Sequence, residues 1–164
     1  MIKQKEEWVW AFLRICLGWS FLWAFLDKVF GLGFATQAGK AWIDGISPTY
    51  GYLAFGTKGP FASFYQSMAD NHLVMWLFML GLLFIGITLL FGIFVRFGAI
   101  AGAMMYVLLY TSGFIPPEHN PLIDDHVINF IIMIGFIIVA PSEKLGLGRL
   151  WQRISFVKKY PILK

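Results

Sequence analysis

Four long apolar runs, separated by polar turns, dominate the pattern of the sequence. They cover residues 8–30, 72–92, 97–114 and 125–140. A helix needs roughly 20 residues, within a range of about 17–25, to cross the hydrocarbon core of a bilayer. The fourth run is short, so it must recruit Leu122 and Ile123 or thin the bilayer around it. The pattern predicts an all-α integral membrane protein, in which residues 1–164 form one four-helix bundle.

The connection between the first two runs, residues 31–71, is long but is not a polar linker. Aromatic residues recur along it: Trp42, Tyr50, Tyr52, Phe55, Phe61, Phe64 and Tyr65. Aromatic side chains favour the membrane–water interface, and long ordered loops are often functional. We therefore expect a compact aromatic cap over the outer end of the bundle, with short helices near residues 36–44 and 60–69.

The last segment, residues 142–164, mixes basic residues with apolar ones. Such a mixture is typical of an amphipathic helix that lies on the lipid surface. We expect a basic amphipathic helix there.

The composition supports a membrane protein, since 59% of the residues are hydrophobic and only 13% are charged. Soluble domains contain about 25% charged residues. The net charge of +4 does not indicate nucleic-acid binding, because the basic residues lie between apolar runs and at the chain ends. The single cysteine, Cys16, excludes an internal disulfide, a CxxC pair, a cysteine-ligated iron–sulfur cluster and covalent c-type haem attachment.

The distribution of basic residues predicts the orientation of the bundle. Four spans place both termini on one side, and most of the cations fall there: Lys3, Lys5, Arg96, Lys144, Arg149, Arg153, Lys158, Lys159 and Lys164. Only Lys28, Lys40 and Lys58 fall on the other side. By the positive-inside rule both termini are cytoplasmic, in the cell membrane. Most acidic residues and all three histidines then lie at the outer face.

The start of the fourth run carries the strongest candidate for chemistry. Asp125, His126 and Asn129 form one polar stripe that runs inward from the outer end, since they are separated by three or four residues. Asp124 can be explained entirely as a helix cap. Asp125 beside His126 could act as a carboxylate–imidazole proton relay. A haem or metal held by His72 and His126 is a weaker reading, and no HExxH or CxxC motif supports a metal site.

Two features of the first run are also candidates. Arg14 lies inside the membrane, where charges are functional suspects, although its side chain could instead snorkel to the cytoplasmic headgroups. Glu143 is a possible partner. Asp27 and Lys28 close the run as either an interfacial ion pair or a binding site. About 21 Å of helix separates Arg14 from Lys28, so we expect two separate sites.

Several motifs together resemble the DoxX/DoxD family of small four-helix membrane proteins. They are RICLG (14–18) with Asp27-Lys28, AWIDGISPTYGYL (41–53), KGPF (58–61), NPLIDDH (120–126) and the closing GLGRLW and KKYPILK. The resemblance extends over nearly the whole chain. DoxD-type members are similar to the small membrane subunit of a thiosulfate:quinone oxidoreductase, which couples two thiosulfates to tetrathionate and passes two electrons to a membrane quinone.

The resemblance implies a subunit of a quinone-linked oxidoreductase, with quinone as electron acceptor and a second subunit or a homo-oligomer as partner. The expected catalytic residues are Asp125, His126 and Asn129. The expected substrate-binding residues are Arg14, Asp27, Lys28, Trp42 and Ser47. The alternative is a non-catalytic membrane scaffold or assembly factor of a redox complex. A small-solute transporter is weaker, because four spans without an inverted repeat leave little room for alternating access.

Overall fold

The computed structural model describes residues 2–113, 115–117, 122–141, 144–160 and 163, and this part of the chain is helical without strands. Its α-helices are α1 (Ile2–Phe30), α2 (Ala62–Gln66), α3 (His72–Phe91), α4 (Val95–Gly113), α5 (Asp125–Val139), α6 (Gly148–Arg153) and α7 (Ser155–Lys159). A 3-10 turn at Trp42–Asp44 and a π turn at Tyr52–Gly56 lie in the connection between α1 and α2. The prediction of an all-α fold is confirmed.

The long helices form the body of the protein. Helices α3 and α4 and the Lys5–Phe30 part of α1 are long and apolar enough to cross a membrane. Helix α5 has 15 residues and is therefore only about 22 Å long, less than a hydrocarbon core of about 30 Å. Along the bundle α1 packs on α3, α3 on α4, and α4 on α5. Helix α1 also approaches α5, where the rings of Trp10 and Phe136 lie 5.9 Å apart.

Helices α1 and α3 approach closely because each presents a glycine to the other. A Cβ atom on Gly18 would lie 2.5 Å from the backbone nitrogen of Leu90, and one on Gly86 would lie 2.7 Å from the backbone nitrogen of Leu22. Backbone atoms cannot move aside as a flexible side chain can. Small residues at a helix crossing permit such an approach in lipid, where dispersion contacts replace the hydrophobic effect as the driving force.

Residues 31–71 form the expected cap, and we call this end of the bundle the cap end. The hydroxyls of Tyr52 and Ser112 lie 2.7 Å apart, and those of Tyr65 and Thr111 lie 2.6 Å apart, so two tyrosines fasten the cap to the end of α4. The expected helix near 36–44 is only the turn at Trp42–Asp44, because Gly39 and Gly45 adopt positive φ on either side of it. The expected helix near 60–69 is shorter, as α2.

The C-terminal segment lies at the opposite end, which we call the tail end. It contains the two short helices α6 and α7 rather than one continuous amphipathic helix, because Ile154 between them takes an extended conformation with φ −64° and ψ 130°. The backbone N–H of Leu147 donates to the carbonyl of Phe91 at 2.8 Å, and the rings of Phe94 and Trp151 lie 4.4 Å apart. The tail is thus attached to the turn between α3 and α4.

Candidate functional site

Asp124 builds the beginning of α5. Its backbone is extended, with φ −129° and ψ −173°, and its carboxylate accepts the backbone N–H groups of His126 at 3.0 Å and Val127 at 3.1 Å. The first N–H groups of a helix have no partner within the helix, and an aspartate at this position satisfies two of them. This is the capping role that the sequence predicted for Asp124.

The same carboxylate also contacts the imidazole of His126. The second oxygen, Oδ2, lies 2.8 Å from Nδ1 of His126, and the two side chains are only 16% and 19% exposed. The sequence interpretation assigned this partnership to Asp125, but Asp125 is exposed to solvent. The difference follows from helix geometry, since a capping carboxylate folds back over the first turn and meets the side chain two residues on. Asp124 therefore has the orienting role in addition to the cap.

The depth of this pair can be measured along α4. The ring of Tyr106 lies 6.1 Å from the ring of His126, with the planes at 73°. Tyr106 is seven residues before Gly113, the last residue of α4, so its backbone lies about 10 Å below the end of that helix. The Asp124–His126 pair therefore contacts α4 below the level at which that helix ends.

Tyr106 is a site residue that the sequence reasoning missed. It is 9% exposed, and its ring lies 5.4 Å from that of Phe21 on α1. It therefore connects α1, α4 and the His126 imidazole. The only signal for it in the sequence is a phenol in the middle of the third apolar run.

The predicted stripe along α5 runs from solvent into the bundle. Asp125 is exposed, Asn129 is half-buried, and Met133 one turn further is completely buried. His119 lies outside the described residues. The structure thus brings together Asp124, His126 and Tyr106, with Asp125 and Asn129 on the same helix.

Asp27 organises the first turn of the cap. Its carboxylate is 1% exposed and accepts the backbone N–H groups of Phe34 at 3.2 Å, Ala35 at 2.9 Å and Thr36 at 2.8 Å. An ionised carboxylate that accepts several N–H bonds is well stabilised without further partners. Half-buried Lys28 follows directly in α1. Asp27 and Lys28 therefore lie at the cap end, and the Asp27 carboxylate faces the backbone of the loop.

Two further predicted residues belong to the cap. The ring of Trp42 lies 4.7 Å from that of Trp76 at an angle of 71°, which pins the cap to α3. The hydroxyl of Ser47 accepts the backbone N–H of Tyr50 at 3.3 Å and so closes a turn. Both contacts shape the cap, and both residues lie at the same end of the bundle as His126.

Arg14 lies at the tail end, and its side chain is completely buried. Its guanidinium donates to the carbonyls of Leu89 and Leu90 in α3 and to those of Lys144 and Leu145 in the tail. It therefore neither snorkels to the headgroups nor presents a free surface to a substrate. Its predicted partner Glu143 lies outside the described residues. Separation of Arg14 from the cap-end residues agrees with the expectation of two distinct sites.

The contacts of Arg14 complete the end of α3. The last four carbonyls of a helix have no partner within it. Here the carbonyl of Thr88 accepts the backbone N–H of Gly92 at 3.0 Å. The carbonyl of Phe91 accepts the backbone N–H of Leu147 at 2.8 Å. The remaining two carbonyls, of Leu89 and Leu90, accept from Arg14. A cation at this position also opposes the negative end of the helix dipole. We call Arg14 with its four carbonyls the tail clamp.

In the part of the chain that the structure describes, no group of three or more His, Cys, Asp or Glu side chains is placed to hold a metal ion. His72, which opened α3 in the sequence interpretation, is exposed.

The long apolar helices define an α-helical membrane protein, and the Asp124–His126 pair lies at its cap end. The family model DoxX matches residues 9–113, more than half of the chain, so this chain belongs to the DoxX family. No curated protein and no solved structure gives a significant match. The matched region contains Arg14, Asp27, Lys28, Trp42 and Ser47, whereas Asp124 and His126 lie beyond its end.

Proposed function

We propose that this DoxX protein is a membrane subunit of a quinone-linked oxidoreductase, with its site at the cap end. The observation that carries the proposal is the Asp124–His126 pair, held against Tyr106 about 10 Å below the end of α4. In the proposed arrangement this level lies inside the apolar layer, where titratable side chains are costly and typically mark proton or substrate pathways. A helix cap alone would not need an imidazole beneath the surface.

A quinone head group needs an apolar slot and one or two hydrogen-bonding groups. In this proposal His126 and Asn129 would provide the hydrogen bonds and the Tyr106 ring would form one wall of the slot. When bound, a quinone takes up two electrons and two protons. His126 would deliver a proton, Asp124 would hold the imidazolium, and exposed Asp125 would exchange protons with water.

The proposed electron donor is thiosulfate. Two thiosulfate dianions lose two electrons in forming the sulfur–sulfur bond of tetrathionate, and these electrons with two protons convert the quinone to a quinol. Lys28, with Asp27, Trp42 and Ser47 nearby in the cap, remains the proposed binding region for the dianion. Arg14 is left out of this site because it lies in the tail clamp. A second subunit or further copies of the chain would complete the enzyme.

The test uses membranes that contain the protein, with thiosulfate and a short-chain quinone analogue. Quinone reduction is followed by its ultraviolet absorbance. Asp124→Asn and His126→Ala should each lower the rate about 100-fold or more, as expected for loss of general acid–base catalysis. Asp70→Asn, an exposed carboxylate of the cap, is the matched control and should retain full activity. Full activity of both site variants would refute the site, and no thiosulfate-dependent reduction by the unmodified protein would refute the substrate.

The proposed orientation places the cap outside the cell and both termini in the cytoplasm of the cell membrane. The orientation can be tested with single cysteines introduced into a Cys16→Ser chain. Lys40→Cys lies in the cap and Ser155→Cys in the tail, and both positions are exposed. A membrane-impermeant maleimide added to intact cells should label Lys40→Cys and not Ser155→Cys. The reverse labelling would reverse the orientation, and with it the side on which the pair exchanges protons.

A second candidate is a scaffold or assembly factor of a redox complex. It is favoured by the way cap-end polar groups satisfy one another, as the Tyr52–Ser112 and Tyr65–Thr111 bonds do. This function predicts that a stoichiometric partner co-purifies with the protein. The redox turnover of that complex should be the same with the Asp124→Asn variant as with the unmodified chain.

A further inference from the structure

The tail end carries a surface that the proposed oxidoreductase function does not use. Helices α6 and α7 are fixed to the bundle by the tail clamp and by the stacking of Trp151 on Phe94. Val157 in α7 is completely buried, so one face of the tail is turned to the protein. The other face is therefore held in a defined direction rather than hanging free.

The free face of the tail combines apolar and basic side chains. Leu150 is 60% exposed and Phe156 is 62% exposed. The exposed cations of α6 and α7 are Arg149, Arg153, Lys158 and Lys159. Between residues 144 and 164 the sequence contains no acidic residue. Lys144 is already engaged, since its ammonium lies 3.6 Å from the Glu7 carboxylate. The face thus presents four cations, and neither α6 nor α7 contains an acidic residue.

The position of this face determines what it meets. Leu147 is bonded to Phe91, the last residue of a membrane-spanning helix, and Trp151 contacts Phe94 just before the next one. The tail consequently starts at the level where the hydrocarbon core ends. Side chains such as Leu150 and Phe156 can enter the boundary between headgroups and acyl chains, while arginine and lysine remain among the headgroups.

We propose that the tail face is a binding surface for anionic phospholipid, whose headgroup phosphodiesters pair with Arg149, Arg153, Lys158 and Lys159. Charge complementarity favours this ligand, because the four cations lie at the level of the headgroups and the phosphodiester groups there are negatively charged. Guanidinium groups form paired hydrogen bonds to phosphate oxygens, and ammonium groups act as point charges. The exposed apolar side chains supply the contact with acyl chains that a soluble acidic protein would not need.

The test measures lipid binding to the purified full chain. Delipidated protein in detergent is titrated with phosphatidylglycerol or phosphatidylcholine, and bound lipids are counted by native mass spectrometry. Phosphatidylglycerol should bind in preference, and added salt should reduce that preference. In Arg149→Gln/Arg153→Gln/Lys158→Gln/Lys159→Gln the preference should fall about fivefold for each neutralised charge. The Arg149→Lys/Arg153→Lys variant keeps both charges and should keep most of the preference for phosphatidylglycerol.

The matched control is Lys40→Gln/Lys58→Gln, which removes exposed cations at the cap end and should leave the preference unchanged. Equal thermal unfolding temperatures establish that the variants fold. The proposal is overturned if the unmodified protein binds both lipids equally, or if the cap-end control loses as much as the tail variant. It is also overturned if inorganic phosphate displaces the lipid, or if the tail variant loses a co-purifying acidic protein while keeping its lipid.

Discussion

Replacing Arg14 by leucine tests the tail clamp directly. The substitution keeps the apolar stem of the side chain and removes all of the donors. The carbonyls of Leu89 and Leu90 at the end of α3 then lose their partner, as do those of Lys144 and Leu145 in the tail. Because Arg14 is fully buried, water cannot replace the guanidinium without opening the contact between α1, α3 and the tail.

The size of the effect follows from the groups left behind. A buried acceptor that loses its partner costs about 1–3 kcal/mol, and two of the four carbonyls are taken as inaccessible to water after the change. Removing a desolvated cation returns part of this cost. The expected loss is about 2–4 kcal/mol in the free energy of unfolding. At about 2–4 °C per kcal/mol for a chain of this size, the unfolding temperature should fall by about 4–16 °C.

The assay is thermal unfolding in detergent, followed by intrinsic fluorescence, with limited trypsin digestion as a local readout. Loss of the clamp should expose the tail, so cleavage after Lys144 should accelerate before the bundle unfolds. Arg149→Leu, an exposed arginine of the same tail, is the control and should change the unfolding temperature by no more than about 1 °C. An Arg14→Leu protein as stable and as protease-resistant as the unmodified one would refute the clamp.

Two smaller changes test the helix crossing and the cap. Gly86→Ala should cost about 1–3 kcal/mol in thermal unfolding, because its Cβ would lie 2.7 Å from a backbone nitrogen of α1. Gly51→Ala is the control and should not change the stability, because Gly51 has open space around it and an ordinary φ of −58°. Equal losses of stability in the two variants would contradict the close approach of α1 and α3. Tyr65→Phe should cost about 0.5–1.5 kcal/mol and speed trypsin cleavage in the cap, since the bond to Thr111 is lost. Tyr50→Phe, at an exposed tyrosine, should change neither the stability nor the rate of cleavage. If Tyr65→Phe also changed neither, the bond between Tyr65 and Thr111 would not hold the cap.

The long elements could be predicted from the sequence because hydrocarbon thickness imposes a length on each apolar run. The starts of α3 and α5 at His72 and Asp125 agree with the predicted starts, since Asn71 and Asp124 supply capping oxygens there. The short elements could not be placed as well. Residues 36–41 are not helical because glycine conformations decide the path of the cap, and Ile154 divides a tail whose pattern suggested one helix.

Sequence and structure assign different carboxylate partners to His126 at the start of α5. Residue spacing places Asp125 and His126 side by side, yet it cannot show that a capping carboxylate turns back onto the imidazole. It also cannot show that Tyr106, from another apolar run, reaches the same place. Arg14 lies at the tail end, away from the other residues predicted to bind substrate. Its carbonyl partners could not be read from sequence, because backbone acceptors carry no sequence signal.

The tail clamp has a consequence for the order in which the protein is made. Arg14 is 75 residues ahead of Leu89 and 130 residues ahead of Lys144 in the chain. An arginine at the centre of a lone membrane helix costs about 2.5–3.5 kcal/mol at insertion, and Arg14, nearer the tail end of α1, costs less. The guanidinium of α1 therefore has to remain hydrated or among headgroups until α3 arrives, and it gains the carbonyls of Lys144 and Leu145 only after α5 has been made. A nascent chain that lacks residues 144–145 therefore leaves the buried guanidinium with only two of its four acceptors.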